Sequence, residues 1–135
     1  MANALYTKYK ETLLGAGGIN LSSDTIKVAL VAAGYAANIG TDQFFSAVGA
    51  NVVGTPQQIN SPTITGGVFN GNGVTFTAVT GSQVTQLVIY KDTGTAATSP
   101  LICRDDTASS GLPVTPNGGN ITITWDTGAS KIFAL

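Results

Sequence analysis

Acidic side chains and a single cysteine are the residues of this chain that could do chemistry. The sequence contains no histidine, so the most common general base and the usual partner of a serine or cysteine nucleophile are missing. Most of the seven acids fall at predicted turns or helix starts, where such side chains normally hydrogen-bond the local backbone. They are Glu11, Asp24, Asp42, Asp92, Asp105, Asp106 and Asp126. The pattern predicts no catalytic residue and a protein that is not an enzyme.

Asp105 and Asp106 are the acids with the best alternative use. With Thr107 and Ser109 they could offer oxygen ligands to calcium, but the alternating acids of a calcium-binding loop are absent. Two acids distant in sequence could also meet and hydrolyse glycans. We expect a solvated loop here, with no metal and no cofactor.

Cys103 is the only cysteine, which excludes an intrachain disulfide and agrees with a reducing compartment. It lies in an apolar run with Leu101 and Ile102, so we expect a buried structural thiol.

Two aromatic residues could form a sugar-binding platform. Trp125 alternates in step with Ile121 and Ile123, which places its ring in the predicted core. Tyr35, in the loop after the first long strand, is the aromatic residue that we expect to be exposed. A carbohydrate-binding module is therefore a remote alternative.

Charge is scarce throughout the chain. Hydrophobic residues make up 43% of the sequence and charged residues 10%, with a formal net charge of −1. Charge-poor surfaces are typical of protein–protein interfaces, although a neutral, Thr-rich β-protein explains the composition equally well. Six scattered basic residues predict no nucleic-acid binding, and no apolar stretch is long enough to span a membrane.

One helix is predicted, over Asn3 to Leu14, packing through Leu5, Tyr9 and Leu13 and ending at glycines. A second short helical segment is predicted over Thr41 to Val48. Short strands separated by turn residues occupy most of the rest, at 26–31, 74–79, 84–90, 101–104, 121–125 and 131–135.

This pattern predicts one domain over residues 1–135: an antiparallel β-sandwich or jelly-roll-like barrel of seven to nine strands with a short N-terminal α-helix. The residues predicted for its core are Ile26, Val28, Leu30, Phe76, Leu87, Ile89, Ile121, Ile123, Trp125 and Phe133.

Three segments carry a resemblance to a known class of protein. The opening MANALYTKYKETLLGAGGINLSSDTIKVALV, the closing GLPVTPNGGNITITWDTGASKIFAL and the middle LVIYKDTGTAATSPLI resemble small virion structural proteins of tailed bacteriophages and prophages. Head decoration, or cement, proteins of this kind bridge neighbouring capsid subunits, and other members belong to the tail or connector. The resemblance implies no catalytic or metal residues.

The resemblance implies a place and partners. We expect a homo-oligomer on the virion, bound to the major capsid protein or to other virion proteins, assembled in the host cytoplasm and not secreted. The segment from Ala36 to Thr65 matches least, so the expected docking loop is Tyr35 to Gly54. Its candidate interaction residues are Tyr35, Asn38, Phe44, Phe45 and Asn51. Alternatively, the N-terminal helix, released at the glycines of 15–18, docks onto a neighbouring subunit.

Overall fold

The structure is a computed structural model that describes residues 4–15, 17–106, 112–125 and 132–135. These residues form ten β-strands and one α-helix. The elements are β1 (Ala4–Leu5), α1 (Thr7–Leu14), β2 (Ile26–Ala32), β3 (Val52–Gln58), β4 (Thr63–Thr65), β5 (Val68–Asn70), β6 (Val74–Phe76), β7 (Val84–Lys91), β8 (Leu101–Asp105), β9 (Ile121–Ile123) and β10 (Phe133–Ala134).

β2 and β7 form the centre of a five-stranded antiparallel sheet with the order β1-β8-β7-β2-β3. They pair along their whole length, from Ile26 opposite Lys91 to Ala32 opposite Val84. Both strands are apolar on both faces, and Leu87 to Tyr90 are all buried. A central strand covered on both faces accounts for this run of four apolar residues.

β3 is an edge strand of this sheet, and its pairing with β2 is interrupted. Val28 lies opposite Gln57 and Leu30 opposite Val53, so three residues of β3 face Ala29 alone. Gly54 takes a φ of 71° in this bulge, and Pro56 lies within it. Bulges and prolines are common on edge strands because both discourage further pairing.

Two smaller sheets complete the fold. β10, β5 and β4 form one, and β6 pairs with β9 in the other. Phe69 of β5 and Phe76 of β6 are buried in the same apolar core as the side chains of β2 and β7. The mainly β, antiparallel fold of sandwich type is therefore confirmed, with ten strands in the described residues where seven to nine were predicted.

The predicted core is confirmed at its centre, whereas four of the residues predicted for it lie at its margin. Six of the predicted residues are buried: Ile26, Val28, Leu30, Phe76, Leu87 and Ile89. Ile121, Ile123, Trp125 and Phe133 are half-buried and pack against that core from outside. They belong to the short strands β9 and β10 or to the segment after β9, where one side meets solvent.

The N-terminal helix is shorter than predicted. Residues Ala4 and Leu5 pair with Arg104 and Cys103 as strand β1, so the helix begins only at Thr7. Tyr9 is buried and its ring meets Phe133 edge-on, with centroids 6.1 Å apart. The predicted contact through Leu13 is wrong, because that side chain is 40% exposed.

The region between β2 and β6 differs most from the prediction. Thr41 to Val48 contains a single 3-10 turn, Phe45–Ala47, and a second turn follows at Gly49–Asn51. β3, β4 and β5 were not predicted. The C-terminal strand is confirmed as paired, since Phe133 lies opposite Phe69.

Candidate interaction surface

The predicted docking loop after β2 is anchored by buried tyrosines. The Tyr35 hydroxyl donates a hydrogen bond to the Asp42 carboxylate at 2.8 Å and accepts one from the Tyr6 hydroxyl, also at 2.8 Å. Burial raises the pKa of Tyr6 to about 12 and raises that of Tyr35 as well. The prediction that Tyr35 is exposed is wrong: it is 5% exposed, because its hydroxyl is fully bonded inside the fold.

A second buried cluster continues this one. Gln86 donates through Nε2 to the backbone oxygens of Ala32 (3.0 Å) and Tyr35 (2.9 Å), and it accepts a hydrogen bond from Nε of Arg104. Nη1 of Arg104 lies 2.9 Å from the carboxylate of Asp106. This is an ion pair by distance, although the N–H directions do not meet hydrogen-bond geometry. The cluster ties β7 and β8 to the start of the loop.

An open depression of about 400 Å³ lies over the Gln86–Arg104 cluster, lined in part by Ala33, Ala36 and Ala37. Its charged wall is the Arg104–Asp106 pair, whose side chains are 10% and 11% exposed. Because the two charges balance each other, the wall has no free charge to attract an ionic ligand. The arrangement supports the start of the loop.

The residues singled out for chemistry lie on β8 and in the segments around it. Asp105 closes β8 opposite Leu87, while Thr107 and Ser109 lie outside the described residues. Among the residues that the structure describes, no group of three or more His, Cys, Asp or Glu could hold a metal ion. Cys103 is buried, as predicted, and burial raises the pKa of its thiol.

The remaining predicted loop residues mostly contact their own chain. The Phe45 ring stacks on Tyr90, with centroids 3.8 Å apart and an interplanar angle of 7°. Phe44 pairs with Pro100 as an isolated bridge, and Asn51 donates to the Val48 carbonyl at 3.0 Å. All three loop residues are half-buried, whereas Asn38 is exposed. The loop is therefore held against the rest of the protein, because its aromatic rings pack on their own chain.

A long charge-free segment begins within that loop, after Asp42, and continues well beyond it. Residues 43–90 contain no Asp, Glu, Lys or Arg, and they form all of the strands from β3 to β6 and nearly all of β7. Its exposed side chains, here called the uncharged surface, include Ser46, Ala47, Ala50, Thr55, Gln58, Thr63, Ile64, Thr65, Thr75 and Thr77. Such a surface can be covered by another protein without the cost of desolvating a charge. The uncharged surface could have been predicted from the gap in charged residues between positions 43 and 90, which the average composition does not show.

Four of the thirteen charged residues lie together at one end of β2 and β7. Lys27 of β2 pairs with Asp92 at 2.7 Å, and Lys91 of β7 pairs with Asp24 at 3.1 Å. The Lys27 ammonium and then the Gly94 N–H hold the pKa of Asp92 below its usual value. The Asn20 N–H and then Lys91 do the same for Asp24. We call these four residues the charged end.

Trp125 is held by its own chain. Its Nε1 donates a hydrogen bond to the Asn72 carbonyl at 2.9 Å, and its ring is half-buried against the core. Trp125 therefore packs at the margin of the core and uses its indole N–H within its own chain, which argues against a sugar-binding platform.

No family model matches the sequence, and comparison with curated proteins gives no match. Within the described residues, no helix has the length and apolarity needed to cross a membrane.

Proposed function

We propose that this protein is a structural component of a phage virion that binds the outer capsid surface as a decoration, or cement, protein. The observation that carries the proposal is the uncharged surface built from residues 43–90, because interface cores are depleted of charge. The resemblance of both ends of the chain to small virion proteins supplies the setting.

The placement on the outer surface rests on the basic residues. A protein facing packaged DNA needs free cations to neutralise phosphates. Here Lys8, Lys27, Lys91 and Arg104 each face an acid of the same chain. Four of the six basic residues are thus paired within the described part of the chain, and the segment 43–90 is uncharged, which suits contact with protein better than contact with nucleic acid.

The partner of the uncharged surface is, in this proposal, the major capsid protein. The two 3-10 turns of the loop present small exposed side chains, Ser46, Ala47 and Ala50, which allow close approach of another backbone. Asp42, the one acid of the loop from 35 to 54, is turned inward to Tyr35. A tail or connector position is the alternative, and it uses the same surface in a ring of few copies.

Counting copies in purified particles separates the two positions. A decoration protein follows the repeated capsid lattice, so we expect on the order of several hundred copies per particle. A few copies to a few dozen would move the protein to the tail or connector, and a protein missing from purified particles would overturn the proposal.

A further inference from the structure

We propose that a second copy of this chain pairs antiparallel with the outer edge of β4, with Ile64 on the two-fold axis. This inference goes beyond the virion role and does not depend on it.

The register of the β4–β5 hairpin fixes which backbone groups are free. Gly66 and Gly67 connect the two strands with φ values of 61° and 78°, as in a two-residue type I′ turn. In such a hairpin Thr65 and Val68 form a hydrogen-bonded pair, and the next pair, Ile64 and Phe69, does not exchange hydrogen bonds. The N–H and C=O of Ile64 therefore point away from β5.

The opposite side of β5 agrees with this register. The Phe69 carbonyl accepts a hydrogen bond from the Ile132 N–H at 3.2 Å, and the Leu135 N–H donates to Gly67 at 2.9 Å. The backbone groups of Phe69 are thus directed toward β10 and away from β4. Among the described residues, no strand pairs with the outer edge of β4.

The side chains of β4 are open as well. All three residues are exposed, and Ile64 is 52% exposed although it lies opposite the buried Phe69. The edge strand β3 is interrupted by its bulge and by Pro56, whereas the three-residue strand β4 has neither a bulge nor a charge. A free strand edge with an exposed apolar side chain and no charge can accept another strand.

The sequence of β4 makes a second copy the best-fitting occupant. Thr63-Ile64-Thr65 reads the same in both directions, so an antiparallel two-fold places Ile64 opposite the partner's Ile64 and Thr63 opposite the partner's Thr65. The two central residues exchange two backbone hydrogen bonds. No charged residue lies between positions 43 and 90, so two identical copies bring no like charges of this segment together.

Cysteine cross-linking tests both the contact and its register. In a hydrogen-bonded antiparallel pair the Cα atoms are about 5.5 Å apart, which suits a disulfide. Under mild oxidation we expect Ile64→Cys to form covalent dimers. Thr63→Cys mixed with Thr65→Cys should form mixed dimers, while Thr63→Cys alone should not, because the two-fold separates its two copies.

Thr75→Cys is the matched exposed control, and the native Cys103 is buried in every variant. Ile64→Cys dimers at no more than the Thr75→Cys level would overturn the proposal. So would equal cross-linking of Thr63→Cys alone, which would indicate random collision or a parallel register.

A second measurement does not rely on oxidation. Ile64→Lys places two like charges on the axis, so sedimentation at protein concentrations up to about 1 mM should show at least about tenfold weaker dimerisation than for the parent chain. Circular dichroism confirms that the variant is folded. Equal self-association of the two proteins, or a parent chain that stays monomeric at this concentration, would contradict the inference.

Discussion

The tyrosines show how single residues hold the fold together. Tyr6 and Tyr35 satisfy each other and Asp42, whereas the buried hydroxyl of Tyr9 has no hydrogen-bond partner among the described residues. Tyr35 and Tyr9 can therefore be compared directly. A buried hydroxyl without a hydrogen bond costs folding free energy that a bonded hydroxyl does not.

We expect Tyr35→Phe to lower the free energy of unfolding by about 1–3 kcal/mol, since it leaves the Tyr6 hydroxyl without its acceptor and leaves Asp42 with only the hydrogen bond from the Asn38 N–H. Tyr9→Phe should be neutral or stabilising by up to about 1 kcal/mol, because it removes a hydroxyl that has no hydrogen-bond partner in the described part of the chain. Urea unfolding of both variants measures the difference. A Tyr9→Phe variant as unstable as Tyr35→Phe would contradict this account.

The position of Tyr35 also shows where sequence-based prediction ends at this scale. A tyrosine in a loop after a strand reads as exposed, and its burial depends on Tyr6, which lies 29 positions earlier in the chain. Cys103 was predicted correctly because its immediate neighbours are apolar. Local pattern thus places side chains whose environment is local, and it fails where a distant partner decides burial.

At the scale of elements, the charged end fastens β2 to β7 in a crossed arrangement. Each lysine pairs with the acid next to the other strand: Lys27 with Asp92, and Lys91 with Asp24. Both carboxyl pKa values are lowered in the folded protein. The stabilisation is therefore present above the pKa of about 3.9 of an unfolded aspartate, and it is lost as pH falls through the lower folded values.

We expect the free energy of unfolding to be nearly constant from about pH 8 to pH 5, where a chain without histidine has few groups to titrate, and to fall below about pH 4. Urea unfolding at pH 7, 5 and 3 measures this profile. Asp92→Asn should show a smaller loss between pH 5 and pH 3 than the parent chain. Identical acid profiles for the two proteins would show that this carboxylate does not contribute.

The elements that were missed have a common physical reason. β2 and β7 are long and apolar on both faces, so pattern alone identifies them. β3 contains Gly54 and Pro56, and β4 and β5 have three residues each, too few to show alternation. These strands exist because neighbours pair with them, and the β4 edge could not be found until that pairing was known.

At the scale of the whole molecule, the four residues of the charged end and the uncharged surface come from different parts of the sequence. The fold class and the lack of charge can be predicted from the sequence. The sequence does not show which of the uncharged side chains are exposed. In the structure Tyr35 is buried, and the exposed side chains of the loop include small residues of the two 3-10 turns. In the proposed docking, these turns contact the capsid.

Binding of purified variants to capsid shells that lack this protein tests that claim most directly. Ser46→Lys and Ala50→Lys each place a charge on the exposed turns, and Ser23→Lys adds the same charge beside Asp24 of the charged end. We expect the parent chain and Ser23→Lys to co-sediment with the shells, and the two turn variants to bind at least about tenfold more weakly, because the added ammonium would be buried without a partner. Equal binding of all four proteins would contradict the account.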